Sequence, residues 1–198
     1  MIKTIIFDLG GIFFEVNWEE VNKELVNKVN VPIFPKEGRY EFYLDFALGK
    51  ISSKEYFDKL LKTVNSSVKR ENLKKAYKEA YINNTKINEN MLKLAKELHK
   101  RYNLICITNT NEFHKKINES RGLFKEFDNV FSSFELGKIK NTKNIFIEVL
   151  EKLNLNAEDC IFIDDKVENI EIARSVGVNS ILFKYFDQLV NELKNNGI

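Results

Sequence analysis

The chain predicts an α/β fold, a doubly wound parallel sheet carrying a small helical bundle, and three patterns support that prediction. Four short apolar runs rich in Ile, Phe and Val (TIIFD, NLICIT, DCIFID and NSILF), with a weaker one at DNVFSS, have the length and residue types of buried strands. Between the later runs lie NENMLKLAKELHK, NTKNIFIEVLEKL and KVENIEIARSVG, whose apolar residues recur at helical spacing. Strands that alternate with helices imply a parallel sheet, because each crossover helix covers one of its faces. The third pattern is an interruption. From about Asn17 to Asn84 no convincing buried strand occurs and helical spacing dominates.

Taken in order, TIIF ends in Asp8, and Gly10 with Gly11 can open a turn. WEEVNKELVNKV, EFYLDFALG, SSKEYFDKLLKTV and VKRENLKKAYKEAY then place apolar residues three and four apart, and Ser52 with Glu55 can form a capping box. Because these helices follow the first strand directly, they are expected to form a cap inserted over the C-terminal edge of the sheet. Residues 1–16 and 86–198 would form the α/β core and 17–85 the cap. There are no internal repeats, and with 2 Pro and 8 Gly no long linker is evident.

Composition narrows the function classes. At 198 residues with 43% hydrophobic and 30% charged residues, the chain suits one folded domain with an insert. Lys and Arg number 31 against 29 Asp and Glu, so no strong field argues for nucleic acid or an anionic membrane. Cys106 and Cys160 lie inside apolar runs and read as buried thiols in a reducing compartment. With no secretory h-region and no apolar run of transmembrane length, a cytoplasmic protein is expected. Monomer and homodimer are equally open.

In open parallel sheets ligands bind at the carboxyl ends of the strands. The polar residues there are Asp8 after TIIF, Thr108 and Asn109 after LICI, and Asp164 with Asp165 after CIFI, while Lys140 precedes a helix. Singly, each has an ordinary reading as a turn or helix-cap residue. Together, three carboxylates, a hydroxyl and a lysine on one edge make a site for a divalent cation and a phosphate.

With these residues in view, IIFDLGGI, LICITN, GKIK and FIDDKVENI, in that order, resemble the four motifs of the haloacid dehalogenase superfamily, most of whose members are phosphatases on a Rossmann-like core. The resemblance spans essentially the whole chain. It implies that Asp8 is a nucleophile and that Thr108, beside Asn109, binds the transferred phosphoryl group. It also puts Gly11 at the phosphate and Lys140 in the site, followed by Asn141 where the family often has proline. The Asp8 carboxylate, the Gly10 carbonyl, Asp164 and Asp165 would surround Mg²⁺, and the substrate would be a small phosphorylated metabolite. TNTNEFH resembles an extension found in a DLGN-type subgroup similar to sugar-phosphate phosphatases.

Gly10 departs from the pattern. Most phosphatases of the family carry a second Asp there, which protonates the leaving alcohol and then activates water. That proton transfer is typically worth about 10²–10⁴-fold. Three readings follow: a phosphatase whose leaving group needs little acid help or finds another donor, a metal-independent dehalogenase, or a phospho-ligand-binding protein without activity. Secondary candidates are His114, read first as capping or packing near the helix after Thr108 and only second as a stand-in base, Asn111 as a loop-shaping residue, Asn169 near the carboxylates, and Glu15 with Asn17 as substrate contacts at the hinge. Arg39, Tyr40, Phe42, Tyr43 and Phe46 form an aromatic cluster with one cation, read first as bundle core with Arg39 in solvent. His99 reads as a surface residue and Gly177 as the end of a helix.

Overall fold

A computed structural model describes residues 1–35 and 38–198. Strand β1 (Thr4–Phe7) is followed by β2 (Phe14–Val16), which pairs antiparallel with β3 (Thr85–Ile87). Strands β4 (Asn103–Thr108), β5 (Asn129–Ser132), β6 (Cys160–Asp164) and β7 (Asn179–Leu182) join β1 in a parallel sheet of order β5-β4-β1-β6-β7. The order reverses direction at β1, so the crevice of a doubly wound sheet falls at the end of that strand, between β4 and β6.

The helices follow from the patterning. Helix α1 (Trp18–Val29) begins at Asn17, whose side chain accepts a hydrogen bond from the Glu20 amide, and ends at Asn30 in the left-handed conformation. Helices α2 (Tyr43–Ala47), α3 (Ser53–Thr63) and α4 (Arg70–Asn83) follow, and α3 carries the Ser52–Glu55 capping box. Beyond β3 come α5 (Glu89–Leu98), α6 (Glu112–Ser120), α7 (Ser133–Leu136), α8 (Lys143–Lys152), α9 (Val167–Arg174) and α10 (Phe186–Asn195).

Three apolar clusters hold these layers. Alternation along β1 sends Ile5 and Phe7 to one face, where Met91, Ala95, Leu189 and Leu193 of α5 and α10 pack. Ile6 faces the other side, against Ile145, Phe146 and Val149 of α8 and Ile170 and Ala173 of α9. The third cluster joins α1 to α4 around Leu25, Phe57, Leu60 and Tyr77, and takes in Phe113 and Ile117 of α6.

Some elements differ from the sequence expectation. The β2–β3 ribbon is too short for a periodic signal, and DNVFSS divides between β5 and the start of α7. Cys106 and Cys160 are buried and unpaired. Among the described residues, no helix is long and apolar enough to cross a membrane.

Candidate active site

The crevice is a cavity of about 290 Å³ bounded on the sheet side by Asp8, Gly10, Gly11, Thr108, Asn109, Lys140 and Asp165. Asp8 leaves the end of β1, where one carboxylate oxygen accepts from the Leu9 amide at 2.6 Å and pairs with Lys140 at 2.6 Å. Lys140, itself 1% exposed, also donates to Asp164 at 2.7 Å. Asp164, at the end of β6, is fully buried and accepts further bonds from the Lys166 amide (2.9 Å) and from Asn169, which lies 3.0 Å from each of its oxygens. Its oxygens are thus largely committed to the protein. Asp165 projects beside it at the solvent edge, and Asp8, Asp164 and Asp165 offer oxygens within 4.8 Å of one another.

The electrostatics follow from crowding. Burial pushes the Asp8 carboxyl up to about 6, against the pull of Lys140. Burial alone would lower Lys140, yet the two carboxylates it touches more than offset that and raise it. Asp165 is raised by partial burial and by the charge of Asp164. One buried ammonium, with the exposed Lys166 acting on Asp165 alone, therefore faces three carboxylates, a set short of positive charge.

Glycine geometry separates Gly11 from Gly10. Gly11 has φ +79°, and a Cβ there would lie 2.3 Å from an Asp165 oxygen, so the loop comes as close to that carboxylate as glycine permits. Gly10 has no such constraint, since its nearest neighbour for a Cβ is the Phe14 ring at 4.0 Å. A side chain at position 10 is missing without a steric reason.

The other wall belongs to the helical segment and α6. Trp18, Arg39, Tyr43 and Tyr81 line it together with His114 and Asn118. Tyr77 and Tyr81 on α4, four residues apart, meet His114 and Asn118 on α6, also four apart: His114 lies 3.0 Å from the Tyr77 hydroxyl and Asn118 accepts from Tyr81 at 3.2 Å. The Asn111 carbonyl oxygen accepts from the His114 amide, which leaves its NH₂ to donate to His114 Nδ1; Nε2 must then carry the proton toward Tyr77. Burial, with the Arg39 charge, lowers this imidazole to about 3. Both His114 nitrogens are thus engaged and burial favours its neutral form, which speaks for a packing role and against the stand-in base.

Most of the remaining candidates take places other than the substrate contacts expected of them, while Asn169 meets the Asp164 carboxylate near which the sequence had put it. Asn109 lines the cavity, but its carbonyl oxygen accepts from the Lys140 amide at 3.0 Å, fixing the lysine's segment. Asn169 holds Asp164. Glu15 does not reach the cavity: alternation in β2 sends Phe14 and Val16 inward and leaves Glu15 exposed on the far face. Asn17 serves as the cap of α1 and is likewise outside the lining. Trp18, one residue on, packs tilted against His114 (5.4 Å between centroids) and Tyr81 (5.7 Å). The four-residue spacing of the two tyrosines and of His114 with Asn118 puts each pair on one helix face, but does not say that the two faces meet.

Comparison with known proteins now decides the family. A family model for haloacid dehalogenase-like hydrolases matches residues 2–177. The chain belongs to that family. Among curated proteins of this kind, D-ribitol-5-phosphate phosphatase of Bacteroides thetaiotaomicron is 22% identical over 187 residues, covering 89% of each chain. A 69-residue stretch is 36% identical to drimenol cyclase drtB of Aspergillus calidoustus, spanning 35% of this chain but 13% of that protein. Of solved structures, the HAD family enzyme bt-2542 of B. thetaiotaomicron, in complex with magnesium and inorganic phosphate, superposes with TM-score 0.80 at 21% identity over 93% of this chain and 95% of that one. A 2-haloacid dehalogenase from Pseudomonas syringae pv. Tomato reaches 0.62 at 17% identity, over 94% and 90%. Phosphatase and dehalogenase chemistry share this hydrolase fold, so the site has to discriminate between them.

One contact gives a pH signature for the attachment of the helical segment. Glu112 accepts from the amide and hydroxyl of Ser53 (3.2 and 2.7 Å) and from Lys116 (2.5 Å), and these partners, Lys116 first, lower its carboxyl from 4.5 to about 2. A depressed carboxylate stabilises the fold above its unfolded value and loses that effect as pH falls through the folded one. Glu112→Gln should therefore be less stable than the parent at about pH 6, with the gap closing toward about pH 3, read as urea midpoints. A gap independent of pH would exclude the latch.

Proposed function

We propose that the chain is a Mg²⁺-dependent phosphatase of small phosphate monoesters that works through an aspartyl-phosphate on Asp8. The observation that carries this reading is the trio of carboxylates opposed by one buried ammonium. Such a set is mutually repulsive without a further cation, and its all-oxygen donors suit Mg²⁺ rather than a soft metal. A dehalogenase needs no metal and would leave that repulsion unanswered. The Asp8 and Asp165 carboxylates and the Gly10 carbonyl would hold the ion, while Asp164, bound by Lys140 and Asn169, orients its surroundings. When bound, Mg²⁺ supplies charge that offsets the repulsion between Asp8 and the phosphoryl oxygens.

The residues divide the remaining work. Lys140 fixes one Asp8 oxygen, which leaves the other free to attack phosphorus as the bond to the leaving oxygen breaks. Thr108, Asn109 and Lys140 would hold phosphoryl oxygens, with Gly11 letting the backbone approach. Water then hydrolyses the acyl phosphate and frees Asp8. Residues 17–85 act as a cap over the 1–16 and 86–198 core, excluding bulk water through the wall of Trp18, Tyr81 and His114.

Among the described residues, Asp8 and Asp165 are the carboxylates lining the cavity, and both are needed at the metal. With Gly10 bare, no further carboxylic acid among the described residues lines the cavity to serve the leaving group. We therefore read the substrate as one with a good leaving group, such as an anomeric or acyl phosphate. The direct experiment is a panel of phosphorylated metabolites assayed with and without Mg²⁺, with Asp8→Asn as the blank. Activity that survives chelation would favour the dehalogenase reading, and no release from any ester would favour a binding protein. Gly10→Asp should raise turnover of simple alkyl phosphates by up to about 10²-fold while adding little for acetyl phosphate. Equal gains for both would refute the missing-acid account.

A further inference from the structure

Three cations line the cavity, and among the described residues Lys140 and Lys166 are answered by Asp8, Asp164 and Asp165, whereas Arg39 has no ion pair there. Lys140 acts on Asp8 at the sheet side, whereas the Arg39 charge bears on His114 and Tyr77. Arg39 lies between α1 and α2, and its guanidinium carbon is 4.2 Å from the Tyr43 ring centroid, 5.0 Å from Phe34 and 5.8 Å from Trp18. Rings grip a guanidinium by its flat faces, so its N–H fork is left to point outward in plane. The cavity's own carboxylates, Asp8 and Asp165, stand at the other end. Arg39 is exposed, as the sequence had it, and has no hydrogen-bond or ion-pair partner among the described residues; a guanidinium so held over rings is prepared for a planar or tetrahedral oxyanion, which it can bind through two parallel hydrogen bonds.

We infer that the substrate carries, besides the phosphate to be transferred, a second oxyanion (a carboxylate or another phosphate) received by Arg39. This deepens the phosphatase reading and rests on it. The cavity volume of about 290 Å³ is at the lower end for small-molecule sites, which leaves room for only a few carbons between the two anions. The flat surfaces of Trp18 and Tyr81 would flank that short carbon skeleton. Lys166, which also lines the cavity, follows Asp165 on the sheet side and is the competing cation.

Calorimetry on the Mg²⁺-loaded protein tests this without requiring turnover. Three matched probes are compared: hydroxypropyl phosphate, phosphonooxypropanoate and propanediol bisphosphate. The native chain should bind at least one of the probes with two anionic groups about tenfold or more tighter than the hydroxyl probe, and the tighter of the two names the second group. Arg39→Ala should collapse that ratio, and Arg39→Lys should keep part of it, because charge remains while the fork is lost. A native ratio near one, a ratio unchanged in Arg39→Ala, or equal weakening of all three probes would overturn the assignment. Turnover of acetyl phosphate in the same preparations reports on the phosphatase reading separately: its absence beside an intact calorimetric ratio would sink that reading and keep the two-anion site.

Discussion

Asp8→Asn should lower Mg²⁺-dependent phosphate release by about 10⁴-fold or more, the scale seen when a covalent nucleophile is removed. The amide is nearly isosteric with the carboxylate. Its oxygen can still accept from the Leu9 amide, and Lys140 keeps its bond to Asp164. The loss should therefore be chemical, with the fold intact. Burial already disfavours the Asp8 charge, so the metal-free variant should melt no lower than the parent. Parallel assays of phosphate release and thermal midpoint would check both halves, and activity within tenfold of the parent would remove Asp8 from the chemistry.

Lys140→Ala should damage both function and stability. Its ammonium is the buried cation between Asp8 and Asp164, at 2.6 and 2.7 Å. Removing one partner from a buried ion pair leaves uncompensated charge, which costs about 3–5 kcal/mol. Loss of a preorganised cation at a developing transition state costs about 10²–10³-fold in rate. The two effects can be separated with Mg²⁺. Added metal should recover part of the urea stability, because a cation returns to the carboxylates, but it should not restore the rate. A variant as stable as the parent in chelator would mean that the three carboxylates do not repel one another as described.

The sheet and its edge were legible because each signal was local. An apolar run such as CIFI followed by Asp164 and Asp165 states both a buried strand and its polar end within six residues. Helices α1 and α3 were equally plain from spacing and caps. The opposite wall was not legible, because it depends on how α4 meets α6. Glu15 looked like a substrate contact from its place after the nucleophile loop, yet the alternation of a three-residue strand turns it away and brings Trp18 in instead. His114 read first as a packing residue near its helix, and it is buried between Tyr77, Tyr81 and Trp18; which rings enclose it was invisible in the sequence. Gly10 and Gly11 read alike as letters, but only the Asp165 contact reveals that Gly11 is required and Gly10 is not.

The central claim is a covalent bond between phosphorus and one carboxylate. Acid quenching during turnover of acetyl phosphate with Mg²⁺, followed by peptide mass spectrometry, reads it directly. The account predicts one added phosphoryl group on the peptide that contains Asp8, absent in chelator and in Asp8→Asn. Steady phosphate release with no adduct on that peptide, or an adduct on another residue, would contradict it.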